Sequence, residues 1–192
     1  IVGGYVTQSA TAHGAGAGTS DTADVLDLLK PITRLSPTAV SSSGRGGSAV
    51  AASPSGNHFI VFGGYTTSTP AGGDCTPVNP DYLLTPCAQD FALAGAFDST
   101  QPFLSARAHA SAALLTSTSG ALMFAGGIGR YGATQGEGFS QAVTFYYGNE
   151  LFSAPALFIE HAHHRAITLP DGRVILVGGG RRDAMGRFAD VT

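Results

Sequence analysis

Short apolar runs that each end at a glycine pair recur along the chain. Every run is an almost unbroken stretch of β-branched, aromatic and aliphatic residues, which is typical of a strand buried on both faces. Glycine directly after such a strand permits the close approach of another backbone or an unusual φ. The intervals between the first glycines of successive pairs are 60, 63 and 52 residues. The four runs are IVGGY at 1–5, FIVFGGY at 59–65, LMFAGGIG at 122–129 and VILVGGG at 174–180.

A second apolar run lies upstream of three of these glycine pairs. The residues between the two runs are SPSG, TSTSG and PDG, which supply the Pro, Asp, Ser and Gly that tight turns require. Each unit therefore predicts a β-hairpin. The three hairpin units are 44–64, 106–127 and 161–180.

Two more candidate strands follow each of the first three glycine pairs, so that a full repeat holds four strands. Four strands in roughly 50–60 residues indicate an all-β chain built from successive antiparallel sheets. The fourth repeat ends within its third candidate strand, at 188–192. The other candidates are 22–29 with 32–37, 90–98 with 101–106, and 141–148 with 156–162.

This pattern resembles the kelch repeat, and the segments RAH at 107–109 and LPDGRVILVGGG at 169–180 add to the resemblance. The resemblance implies a β-propeller of four-stranded antiparallel kelch-type blades arranged around one axis. Kelch blades often carry a tryptophan in the fourth strand, and this sequence contains no Trp. The blades predicted within this single domain are approximately 1–43, 44–105, 106–160 and 161–192.

The predicted propeller is incomplete, because only two of these blades are full and two are partial. A closed propeller needs roughly 4–8 blades. We therefore expect the rest of the propeller to come from the remainder of a longer chain or from neighbouring subunits.

The opening IVGGY also matches the start of an activated trypsin-like protease. Such an enzyme would need a histidine segment resembling AAHC and a serine segment resembling GDSGG, and the sequence contains neither. The catalytic triad depends on a serine, a base and a carboxylate that come together, not on the first residue of the chain. We therefore interpret IVGGY as the end of a second strand.

Two cysteines, Cys75 and Cys87, flank a segment rich in Pro, Asn and Asp, which is typical of a loop. A disulfide between them would stabilise the fold, because it lowers the entropy of the unfolded chain. This bridge points to an oxidising compartment, and hence to a secreted or cell-surface protein. Two free thiols in a cytosolic protein are the alternative.

Charge and hydropathy exclude two classes of partner. The net charge is −3, and no basic cluster is larger than the adjacent Arg181 and Arg182. A nucleic-acid groove needs several cations on one face, so we expect no nucleic-acid partner. No apolar run approaches the ~18 residues of a membrane-spanning helix, so we expect no membrane span.

The connections between second and third strands are long, whereas the hairpin turns are minimal. These connections are approximately 6–21, 65–89, 128–140 and 180–187. Long loops on a rigid scaffold are where binding residues gather. In an antiparallel sheet of four strands they all leave from the same end, which we call the 2–3 face. Candidate binding residues on this face are Tyr65, Arg130, Tyr131, Arg181 and Arg182, joined by His109 and His163 at the start of first strands.

The segment EHAHHR at 160–165 is the one dense group of titratable residues. If it is a strand, alternate side chains share a face, so His161 and His163 project together and His164 projects to the other side. Two imidazoles together with Glu160 could bind a transition metal. One structural histidine beside two exposed ones is the alternative interpretation.

The same region is similar to one segment of the galactose and glyoxal oxidases, which are kelch-type copper-radical enzymes. That resemblance implies a copper-ligating Tyr-His pair before the LPDGR turn. His163 falls at the histidine position, but the tyrosine position holds Ala162. Without the phenolic ligand the radical chemistry has no place to reside.

The sequence therefore favours a non-catalytic kelch-type module, without a cofactor, that binds or scaffolds a protein or glycan through the 2–3 face. The first alternative is a metal-dependent, copper oxidase-like enzyme that uses His161 and His163. The second alternative is a structural subunit of a large assembly.

Overall fold

The computed structural model describes residues 23–25, 33–35, 45–53, 58–66, 84, 87–92, 97–102, 106–115, 120–130, 137–148, 150–182, 185 and 188–190. These residues form strands, turns and connections, and none of them lies in a helix. The all-β prediction is therefore confirmed for this part of the chain. The strands are β1 (Ala23–Val25), β2 (Thr33–Leu35), β3 (Arg45–Gly46), β4 (Ala49–Ala52), β5 (His58–Phe62), β6 (Tyr65–Thr66), β7 (Cys87–Ala92), β8 (Phe97–Pro102), β9 (Arg107–Ala108), β10 (Ser111–Leu114), β11 (Leu122–Ala125), β12 (Ile128–Arg130), β13 (Glu137–Phe139), β14 (Val143–Tyr147), β15 (Glu150–Ala154), β16 (Arg165–Thr168), β17 (Val174–Val177), β18 (Gly180–Arg182) and β19 (Phe188–Asp190).

Two four-stranded antiparallel sheets form the centre of the described structure. The first has the strand order β4-β5-β7-β8, and the second has the order β10-β11-β14-β15. Strands β16 and β17 pair as an antiparallel hairpin that begins a third sheet. Each predicted hairpin unit is present, because β4 pairs β5, β10 pairs β11 and β16 pairs β17. The described strands do not close into one continuous sheet.

Shorter pairs extend this pattern at the end where the glycine pairs lie. Strand β3 pairs β6, β9 pairs β12 and β12 pairs β13. At the carboxyl-terminal side β18 pairs β19, and at the amino-terminal side β1 pairs β2.

Strand β14 lies within the predicted 141–148, and β1 and β2 lie within the predicted 22–29 and 32–37. The fourth strand of the second sheet and both later strands of the first sheet differ in position from those predicted. The predicted strand at 156–162 is wrong, because the fourth strand of the second sheet is β15. Strand β15 follows directly from Tyr147, which pairs with Glu150 and leaves a two-residue turn that begins at Gly148 with φ +58°. A Gly-Asn dipeptide suits such a hairpin turn.

In the first sheet the strands predicted at 90–98 and 101–106 also begin too late. The observed strands are β7 and β8, and Phe91 of β7 lies opposite Phe59 of β5. Backbone pairing with β5 decides where β7 begins, rather than the density of apolar side chains.

The core lies between the two four-stranded sheets. Ile60 and Phe62 project from one face of the first sheet, and Leu122 and Phe124 project from the facing side of the second. The Phe62 and Phe124 rings stack with centroids 4.4 Å apart and an interplanar angle of 11°. Successive strand residues point to opposite faces, so each apolar run can pack against a neighbouring sheet on both sides.

The glycine pairs lie where each sheet meets the next one. A Cβ on Gly63 would overlap the carbonyl oxygen of Arg107, and a Cβ on Gly126 would overlap the carbonyl oxygen of His161. The second glycine of each pair donates its N–H to that same carbonyl, over 2.8 Å in the first joint and 2.7 Å in the second. Both glycines that approach the carbonyl have positive φ, +58° and +62°. We call this arrangement the glycine joint.

In the glycine pair at 178–179 the first glycine has open surroundings, whereas a Cβ on Gly179 would overlap the carbonyl oxygen of Ala162. Gly178 has φ +67°, and no atom of the described residues lies within 4 Å of the position of a Cβ. On the face beside it Ile175 is 45% exposed and Val177 is 50% exposed. The residues at the same offsets from the first glycine joint, Ile60 and Phe62, are each 1% exposed. The described part of the chain therefore leaves one face of the β16–β17 hairpin uncovered.

None of the described residues belongs to a helix long and apolar enough to cross a membrane.

Candidate functional site

Three equivalent residues lie one after another in a row at the end of the sheets that carries the glycine joints. They are Gly47, His109 and His163, which precede the first strand of each of the three sheets. The His109 N–H donates to the Gly47 carbonyl over 2.7 Å, and the His163 N–H donates to the His109 carbonyl over 3.1 Å. Both histidines have positive φ, +54° and +59°, which is uncommon for residues other than glycine. This shared backbone directs the two imidazoles to the same end of the molecule.

The aromatic rings of this row touch one another. The His109 and His163 ring centroids lie 4.1 Å apart with an interplanar angle of 31°. The Tyr65 ring, from β6, lies 5.9 Å from the His109 ring. Tyr65 is buried and His163 is exposed, so the row runs from the interior to the surface. We call Tyr65, His109 and His163 the aromatic row.

The structure thus brings together three of the seven predicted binding residues. Arg181 and Arg182 lie exposed in β18, which begins beside the aromatic row because Ala162 and Gly180 exchange both backbone hydrogen bonds. Arg130 is the last residue of β12, and its side chain lies outside the described part of the structure, as does Tyr131. Cys75 also lies outside the described residues, so its pairing with Cys87 stays a prediction.

The histidine segment does not alternate as a strand would. Strand β16 begins only at Arg165, and the positive φ of His163 interrupts the extended backbone before it. His163 consequently lies against His109, whereas the His161 ring lies beside the His164 ring, with centroids 5.6 Å apart. The expectation that His161 and His163 share a face, with His164 opposite, is therefore wrong. The sequence held one signal of this positive φ. Gly47 occupies the position of His163 in an earlier repeat, and glycine favours positive φ.

Burial changes the chemistry of His164. The residue is only 4% exposed. Its pKa is lowered from the usual 6.5 to about 4, first because burial penalises the charged form and then because His161 and His163 add positive charge nearby. His164 is therefore neutral near pH 7, with one ring nitrogen available as an acceptor or ligand.

A cavity of about 380 Å³ lies beside His164, between the first strands of the three sheets. Its lining combines small residues with a few polar ones. The Ser111 hydroxyl is buried without a hydrogen-bond partner, and Arg165 is exposed at the start of β16. The lining residues are Ser48, Ala49, Val50, Ala110, Ser111, Ala112, His164, Arg165 and Ala166.

Sequence reasoning missed one surface residue at this end. Phe158 is 97% exposed and lies in the connection that leads from β15 to the histidine segment. Hydrogen bonds from Leu157 N–H to the Gln141 carbonyl and from His161 N–H to the Ser140 carbonyl hold this connection against the residues before β14. Phe158 was expected within a fourth strand, and recognition of the Gly-Asn turn would have placed it in the connection.

Comparison with known proteins supports the fold alone. No family model matches the sequence, and no curated protein matches it. The solved structure of YjhT is similar, with a TM-score of 0.56 and 14% sequence identity over 82% of this chain. The match covers 46% of the YjhT chain, so this chain spans less than half the length of that structure.

Proposed function

We propose that this chain is a non-catalytic binding or scaffolding module, and that its binding surface is the end of the sheets that carries the aromatic row. The observation that supports this most directly is the convergence of Tyr65 from β6 with His109 and His163, which precede β10 and β16. Residues on rigid sheets hold a binding surface in place better than residues on free loops do.

A protein is the partner that the exposed side chains favour. Phe158, Arg181 and Arg182 are exposed at the same end of the sheets as the aromatic row, and aromatic residues and arginine contribute much of the energy at protein–protein interfaces. A glycan is the second candidate, since sugar rings also stack on aromatic side chains.

The same proposal includes the kelch-type propeller. Two glycine joints of the same geometry between successive sheets support a radial arrangement of blades, and the uncovered β16–β17 face would receive a further blade from a longer chain or a neighbouring subunit. The secreted or cell-surface location rests on the predicted bridge between Cys75 and Cys87. A structural subunit of a large assembly is the third candidate and would use the same uncovered face.

The copper oxidase-like alternative has weaker support. Ala162, at the tyrosine position of the copper-radical enzymes, is fully buried and pairs with Gly180. Among the described residues no three His, Cys, Asp or Glu side chains lie close enough together to hold a metal. Such an enzyme would need further ligands from outside the described part of the chain.

The test compares capture of extracellular proteins, and binding to a glycan array, by the wild type and two variants. The first variant carries Phe158→Ala, Arg181→Ala and Arg182→Ala. The control is Tyr147→Ala, which removes an exposed aromatic residue beside the β14–β15 turn at the opposite end. Loss of a hot-spot residue costs about 2 kcal/mol or more, roughly 30-fold in Kd.

We expect the triple variant to bind its partner with at least a tenfold higher Kd, whereas Tyr147→Ala should bind as the wild type does. Equal capture by all three proteins would contradict the proposed surface. A copper-dependent oxidase activity that His163→Ala abolishes would contradict the non-catalytic assignment.

A further inference from the structure

His161 and His164 hold four ring nitrogens that have no partner among the described residues. The Nδ1 and Nε2 atoms of both residues are buried, and none makes a hydrogen bond. A buried polar atom without a partner costs about 1–3 kcal/mol, so native proteins supply a water, an ion or a ligand at such places. Two adjacent imidazoles with every nitrogen unsatisfied therefore point to a ligand between them.

The separation of the two rings suits a shared metal ion. Metal–nitrogen bonds of about 2.0–2.1 Å put the centres of two imidazoles on one ion roughly 4.5–6.4 Å apart. The His161 and His164 ring centroids are 5.6 Å apart, with an interplanar angle of 55°.

The glycine joint leaves room for this pair. A Cβ on Gly126 would lie 2.7 Å from Cε1 of His164 and would also overlap the His161 carbonyl. The absence of that Cβ allows both histidines to lie against the second sheet. His164 also lines the 380 Å³ cavity, which has room for water beside this histidine.

We propose that His161 and His164 bind one transition-metal ion of the class that prefers imidazole nitrogen, such as Zn²⁺ or Cu²⁺. One nitrogen of each ring ligates the ion, and water in the adjacent cavity completes the coordination. The site is independent of the proposed binding function, and it excludes His163, whose ring lies against His109.

Isothermal titration of the full chain with Zn²⁺, after removal of metals with a chelator, tests the proposal. We expect one ion per chain, and at least tenfold weaker binding in His161→Ala and in His164→Ala. The control is His58→Ala, which removes a histidine of β5 and should leave the affinity unchanged. His163→Ala should change the affinity less than threefold.

A spectroscopic measurement guards against variants that fail to fold. In the wild type, Zn²⁺ should shift the NMR signals of the His161 and His164 ring protons and leave those of His58 in place. The proposal is overturned if the wild type binds no metal, if the zinc-induced shifts fall on other histidines, or if folded His161→Ala and His164→Ala bind as the wild type does.

Discussion

The buried side chain of Arg107 connects several strands of the first and second sheets. It is 1% exposed, and its guanidinium donates to the Gly126 carbonyl over 3.0 Å, to the Ala142 carbonyl over 2.6 Å and to the Thr144 hydroxyl over 2.7 Å. The guanidinium carbon also lies 5.1 Å from the centre of the Phe62 ring in the preceding sheet. Arg107 therefore stabilises the second sheet internally and contacts the first through a cation–π interaction.

Arg107→Leu should lower the free energy of unfolding by about 3 kcal/mol or more, because it leaves buried oxygens without their donors at about 1–3 kcal/mol each. Urea denaturation followed by circular dichroism measures the change. Arg173→Leu is the control, since this arginine pairs with Asp171 at an exposed turn, where solvent screening leaves an ion pair little effect on stability. Equal losses in the two variants would contradict this role of Arg107.

At this scale the sequence indicated which residues matter but not what they do. The RAH segment placed His109 near the 2–3 face, but the burial of Arg107 was not predicted. The burial of Arg107 depends on the Gly126 carbonyl, and the position of His109 depends on the Gly47 carbonyl. Both carbonyls are distant in sequence from the residues that bind them. Local propensity carries no information about such contacts.

At the scale of elements, the hairpins were the most predictable part. Turn formers between two apolar runs determine both strands locally, and β4–β5, β10–β11 and β16–β17 form as expected. The later strands were less predictable. Their ends depend on pairing with a strand already in place, as the position of β7 beside β5 shows.

The alternation of side chains across each strand leads to a prediction about two equivalent isoleucines. Ile60 packs between the first and second sheets, whereas Ile175 lies on the uncovered face of the β16–β17 hairpin. We expect Ile60→Ala to lower the free energy of unfolding by about 2–5 kcal/mol. Ile175→Ala should lower it by less than about 1 kcal/mol, because a half-exposed side chain leaves no cavity.

Chemical denaturation of the two isoleucine variants under the same conditions provides the comparison. The substitution is identical in both, so a difference reports the packing of the two faces alone. A loss in Ile175→Ala as large as that in Ile60→Ala would mean that the face beside Ile175 is covered.

At the scale of the whole molecule, one joint repeats between successive sheets. The glycine pairs at 63–64 and 126–127 each lie against a backbone carbonyl just before the first strand of the following sheet, and the second glycine donates its N–H to that carbonyl. The regular spacing of the glycine pairs predicted this equivalence, because only glycine has the room and the φ that the joint requires. The number of sheets in the working protein depends on what packs beside the glycine pair at 178–179.

The most direct test of this account measures the free energy of unfolding of Gly63→Ala, Gly126→Ala and Gly178→Ala by urea denaturation. All three place alanine at a positive φ, which costs about 1–2 kcal/mol. The first two also force a methyl group into a carbonyl oxygen, whereas the third meets open space. We expect Gly63→Ala and Gly126→Ala to lose at least about 2 kcal/mol more stability than Gly178→Ala, or to fail to fold while Gly178→Ala folds. Equal losses at all three positions would contradict it.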